Sequence, residues 1–61
     1  MWNVYYLHHV MDGTGTRYMV RRAFDSRELA QEFIDVNAMV HPLPRCYMED
    51  PDGNVVYGVK D

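Results

Sequence analysis

Phe24-Asp25-Ser26-Arg27-Glu28-Leu29-Ala30-Gln31-Glu32-Phe33-Ile34-Asp35-Val36 decides the fold of this chain, because it places a helix start between two segments that read as hairpins. Asp25 suits the N-cap, and Glu28 follows at the capping-box position. Phe24 before the cap and Leu29 inside the first turn can close a hydrophobic staple. Leu29, Phe33, Val36 and Val40 then recur at helical spacing, and Ala30 and Ile34 widen the stripe. Arg27, Gln31, Glu32 and Asp35 take the wet side. His41-Pro42-Leu43-Pro44 ends the helix, since proline lacks the amide donor and pushes the preceding residue out of the helical region. Asn37 is a candidate C-cap.

Upstream, residues 2–11 are rich in Val, Tyr and Trp, as strands are. Asp12-Gly13-Thr14-Gly15 is a turn cluster, and residues 16–24 form the returning strand. A loop centred on Gly13-Thr14 puts Leu7 opposite Val20, Tyr5 opposite Arg22 and Tyr6 opposite Arg21. Downstream, residues 45–60 form a second hairpin around Asp50-Pro51-Asp52-Gly53, with Met48 opposite Val56 and Tyr47 opposite Tyr57. The expected architecture is one α+β domain of order β-β-α-β-β, a mostly antiparallel sheet of two hairpins with one helix packed on one face, spanning residues 1–61.

Strand alternation gives each hairpin two faces. The staple ties Phe24 to the helix, so Leu7, Val20 and Phe24 are the expected core of the first hairpin. Cys46, Met48 and Val56 are the expected core of the second, because Gly58 would let a helix come close. One short helix covers one side of a sheet, yet the other side is also apolar. That leftover set (Trp2, Val4, Tyr6, Tyr47 and Tyr57, with Arg17 and Arg21 at its rim) is therefore the expected partner-binding surface, for a second copy first and a host protein second.

With 61 residues and one cysteine, Cys46, the chain has no intramolecular disulfide to support a small core. A lone cysteine fits a reducing, cytoplasmic setting. No long apolar run suggests a membrane span, and Met1-Trp2-Asn3 opens neither a basic nor a long apolar leader, so the expectation is a complete small reading frame. Small acidic proteins of this kind resemble phage or mobile-element products in size and composition alone.

The formal net charge of −3 speaks against a general nucleic-acid binder. The basic residues nevertheless cluster early, at Arg17, Arg21, Arg22 and Arg27, beside Trp2, Tyr5, Tyr6 and Tyr18. Single-stranded nucleic acid on the first hairpin is thus the alternative partner, with aromatic rings for bases and arginines for phosphates. The segment does not match an RNP motif, and the element order is not that of an RNA-recognition motif.

Other chemistry finds little support in the sequence. His8, His9, His41 and Cys46 are the soft metal ligands, but His8 and His9 are strand neighbours on opposite faces, and no zinc spacing is present. Asp50-Pro51-Asp52-Gly53-Asn54 places its glycine too early for a calcium loop. Asp12-Gly13-Thr14-Gly15 is neither a P-loop nor a dinucleotide fingerprint. Cys46 with His41 lacks a third orienting group for nucleophilic catalysis. The expectation is a non-enzymatic protein with no metal and no cofactor.

Overall fold

Residues 1–60 are described in the computed structural model. Two antiparallel hairpins lie side by side in one sheet. Strand β1 spans Trp2–His9, β2 Arg17–Phe24, β3 Tyr47–Glu49 and β4 Val55–Gly58, with helix α1 (Arg27–Val40) between β2 and β3. The spatial order is β2-β1-β3-β4. The expected α+β class and element order are therefore observed, and β1 joins the two hairpins by pairing antiparallel with both β2 and β3. The connection from β2 to β3 passes over β1, which is why α1 packs on β1 and β2.

The first turn sets the register. Val10 donates its N–H to the Thr16 carbonyl at 2.8 Å, closing a loop over residues 11–15. Asp12 Oδ1 accepts from the Thr14 amide (3.0 Å) and the Thr14 hydroxyl (2.6 Å), while Gly13 and Gly15 both take positive φ, 86° and 74°. These bonds, the side-chain one first, hold the Asp12 carboxyl below its ordinary pKa. The loop has odd length and is centred on Gly13, so the register differs by one residue from the expected one. Tyr5 pairs with Arg21, Tyr6 with Val20 and Leu7 with Met19.

A slip of one residue moves a strand's side chains to the other face relative to its neighbour. Trp2, Val4 and Tyr6 of β1 accordingly join Val20, Arg22 and Phe24 of β2 on the helix side. Val4, Ala30, Ile34 and Met48 form the buried core, with Trp2, Tyr6, Phe24, Phe33, Cys46 and Val56 packed around it. The expected core face is correct for Phe24, Val20, Cys46, Met48 and Val56 but wrong for Leu7, which faces the other way. The second hairpin also departs from its expected pairing. A β-bulge between Met48 and Glu49 sets Met48 opposite Tyr57 and Tyr47 opposite Gly58.

The helix starts one residue later than expected. Ser26 is the N-cap, its Oγ accepting from the Leu29 amide at 3.2 Å. Glu28 therefore falls in the first turn, where its charge complements the helix dipole, and the Asp25 capping box does not form. Leu29 is half exposed rather than buried under Phe24. Phe24 packs instead on Phe33, ring centres 5.3 Å apart. At the other end His41 caps the helix through its N–H to the Asn37 carbonyl, and the Asn37 side chain donates back to the Phe33 carbonyl. Asn37 is therefore not the C-cap.

Candidate functional site

The side of the sheet turned away from α1 carries Asn3, Tyr5, Leu7 and His9 from β1, Arg17, Met19, Arg21 and Ala23 from β2, and Tyr47 and Glu49 from β3. No element of the described chain crosses it. At its centre Tyr5 and Tyr47 stack across the β1–β3 pair, with ring centres 4.8 Å apart and planes 13° from parallel. That spacing matches the distance between neighbouring strands. One flat face of each ring is thus taken up by the other, and both rings are half-buried. Beside them Leu7, Met19, Arg45 and Tyr47 line a shallow depression of about 250 Å³. Arg45 reaches its place through a left-handed backbone, φ 51°.

Charge is sorted between the two sides of the molecule. Arg17 and Arg21 stand on the bare face. Glu49, the carboxylate that β3 presents there, is mostly buried and lies 3.8 Å from Lys60 Nζ. Glu28, Glu32 and Asp35 are exposed on the helix, on the opposite side. The bare face is therefore basic on a chain whose net charge is −3. Arg22 and Arg27 belong to the helix side, Arg22 lying over the Phe33 ring at 5.9 Å and Arg27 over Trp2 at 6.0 Å.

Of the residues expected to form the uncovered surface, Arg17, Arg21 and Tyr47 are on it. Trp2, Val4 and Tyr6 are not. Val4 is fully buried, Trp2 packs on the core beneath Arg27, and the Tyr6 ring sits 6.0 Å from Phe33. Tyr57 is opposite Met48 on the helix side. Tyr5, Leu7 and Met19 take their places. One signal in the sequence points to them. When equal-parity positions of β1 and β2 share a face, Asn3, Arg17 and Arg21 collect on one side and Trp2, Val4, Val20 and Phe24 on the other, the cleaner separation of polar from apolar.

The histidines converge more than strand alternation suggests. His8, His9 and His41 line one cleft of about 360 Å³ with the Pro42–Pro44 segment, where Leu7 donates its N–H to the Pro44 carbonyl at 2.9 Å. Among the described residues, however, no three His, Cys, Asp or Glu side chains are placed to hold one metal ion. Cys46 is half-buried, and burial pushes its thiol pKa up, opposite to what a nucleophile needs. Among the described residues no helix is long and apolar enough to cross a membrane. No protein-family model, curated protein or solved structure matches this chain.

Proposed function

We propose that this chain is a non-enzymatic interaction module, working in a reducing, cytoplasmic setting, that binds an acidic segment of another protein on the bare face of its sheet. The observation that carries the reading is the Tyr5–Tyr47 stack, with Arg21 opposite Tyr5 and Arg17 further along β2, on a surface no other element of the described chain covers. Tyrosine and arginine are the residue types that dominate interface energetics, and Leu7 and Met19 add apolar area around them. A second copy of the same face is a poorer occupant than an acidic partner. Two such faces bring Arg17 and Arg21 of both copies together, and Glu49 is already engaged by Lys60.

The geometry favours protein over single-stranded nucleic acid. Stacking platforms display flat ring faces to the bases. Here Tyr5 and Tyr47 turn a face toward each other, and what remains is suited to hydrogen bonding and edge contacts.

Peptide selection from a random display library on the immobilised protein tests this. Selected sequences should be rich in Asp and Glu around an apolar anchor. Their affinity should fall about tenfold or more with Arg21→Glu or Tyr5→Ala, and amide shifts on binding should map to Tyr5, Leu7, Met19 and Tyr47. Peptides without acidic bias, or peptides indifferent to both substitutions, overturn the reading. So does tighter binding of a thymidine oligonucleotide than of any selected peptide.

A further inference from the structure

The helix has a second apolar face that the sheet does not cover. Ala30 and Ile34 are buried against the sheet, but Leu29, Val36 and Val40 are 49%, 54% and 86% exposed. With Phe33 they recur at alternating steps of four and three residues, the spacing of a seam that packs against another helix. Phe24, at the end of β2, joins Leu29, Phe33 and Val36 in lining a groove of about 300 Å³, so the seam lies on the β2 side of the molecule.

Strand β2 is itself unfinished. It is an edge of the sheet, eight residues long, with β1 on one side only. Because Val10 donates its N–H to the Thr16 carbonyl, the even-numbered residues of β2 point their amides and carbonyls at β1. Arg17, Met19, Arg21 and Ala23 point theirs outward. One edge of the molecule thus carries both an unpaired strand and an unpaired helix seam.

The described chain is also loosely closed for its size. Its accessible surface is 4492 Å², against about 4,100 Å² for a compact monomer of this mass. Its radius of gyration is 12.0 Å, against about 10.5 Å for a compact domain of this length.

We infer that a second copy of this chain completes that edge, β2 pairing antiparallel with its partner's β2 across a two-fold axis and the two α1 seams packing alongside. The helix rests on β1 and β2, so its axis lies about one strand spacing from the dyad, and the two helices come to about 10 Å apart, a normal packing distance. The outward groups are odd-numbered on both strands, so odd residues must pair with odd. With Arg21 opposite Arg21, or Arg17 opposite Arg21, like charges meet. Centring the dyad on Val20 puts Met19 opposite Arg21, Tyr18 opposite Arg22 and Arg17 opposite Ala23, with no arginine facing another. The contact leaves both bare sheet faces open and makes them one continuous eight-stranded surface.

Sedimentation equilibrium and cross-linking on the full chain test the arrangement. At micromolar concentration the mass should be twice 7.2 kDa. Leu29→Glu and Val36→Glu, both at exposed positions, should weaken association about tenfold or more while circular dichroism shows the fold retained. In a Cys46→Ala background, Val20→Cys should oxidise to a disulfide-linked dimer. Met19→Cys should not, since its symmetry mate lies about 8 Å away. A monomer at millimolar concentration overturns the inference. So does a dimer that ignores both glutamates, or one that cross-links through Met19→Cys and not Val20→Cys.

Discussion

Val4 pairs with Met48 across β1 and β3, and neither side chain reaches solvent. These two residues hold the hairpins together, because the β1–β3 ladder is short and is the join between them. Ala30 and Ile34 close over them from the helix. A core this small leaves the domain about 3–5 kcal/mol of stability to lose.

Met48→Ala removes the larger of the two buried side chains and leaves a cavity the short β3 strand cannot collapse around. The expected loss is about 2–5 kcal/mol, enough to leave much of the chain unfolded at room temperature. Met39→Ala, at an exposed helix position, should change stability by less than about 0.5 kcal/mol. Urea denaturation followed by circular dichroism compares the two. Equal midpoints for the two variants would refute the placement of the core.

How much of this was legible in the sequence depends on the period being read. The Asp12-Gly13-Thr14-Gly15 and Asp50-Pro51-Asp52-Gly53 turns and the helix between them were plain, because turn chemistry and helix caps are local signals. Register was not, because it turned on whether the loop closed with an even or an odd number of residues. The two left-handed glycines and the Asp12–Thr14 bonds decide that question through their joint geometry. That single step carried Trp2, Val4 and Tyr6 under the helix and brought Tyr5, Leu7 and Met19 out. Arg17 and Arg21 stayed on the uncovered side in either register. The helix stripe splits for a related reason. Ala30 and Ile34, which widen it, are buried and Phe33 packs beside them, but Leu29, Val36 and Val40 stay exposed because α1 leans over β1 and β2.

Gly58 should tolerate no side chain. It sits at φ 73° opposite Tyr47, and a Cβ there would overlap the Cys46 carbonyl oxygen, a backbone atom that cannot swing aside. Gly58→Ala should therefore cost more than about 2 kcal/mol, combining left-handed strain with the clash. Gly13→Ala has similar strain at φ 86° but open space around it, and should cost about 1 kcal/mol. The ranking is checked by thermal denaturation. A Gly58→Ala variant as stable as Gly13→Ala would mean that β3 and β4 are not so closely apposed.

The N-cap assignment separates two adjacent residues. Ser26→Ala removes the acceptor for the Leu29 amide and should cost about 1 kcal/mol. Asp25→Ala, one residue outside the helix, should cost less than about 0.5 kcal/mol. The reverse order in urea midpoints would restore the Asp25 capping box.

Cys46 provides a pH signature of the fold. Burial disfavours its thiolate, so the folded thiol titrates above its ordinary value. At neutral to mildly alkaline pH its reaction with an aromatic disulfide reagent should be slower than that of the urea-unfolded chain, and should accelerate as pH rises. The linkage has a definite sign. Below the unfolded thiol pKa, about 8.5, both states keep the proton and stability is unaffected. Above it the unfolded chain loses the proton first and is favoured, so stability falls until the folded thiol also ionises. Cys46→Ala is the reference, and the difference between the two urea-midpoint curves should open as pH rises above about 8.5. Parallel curves, with a thiol equally reactive folded and unfolded, would place Cys46 in water rather than against the Val4–Met48 core.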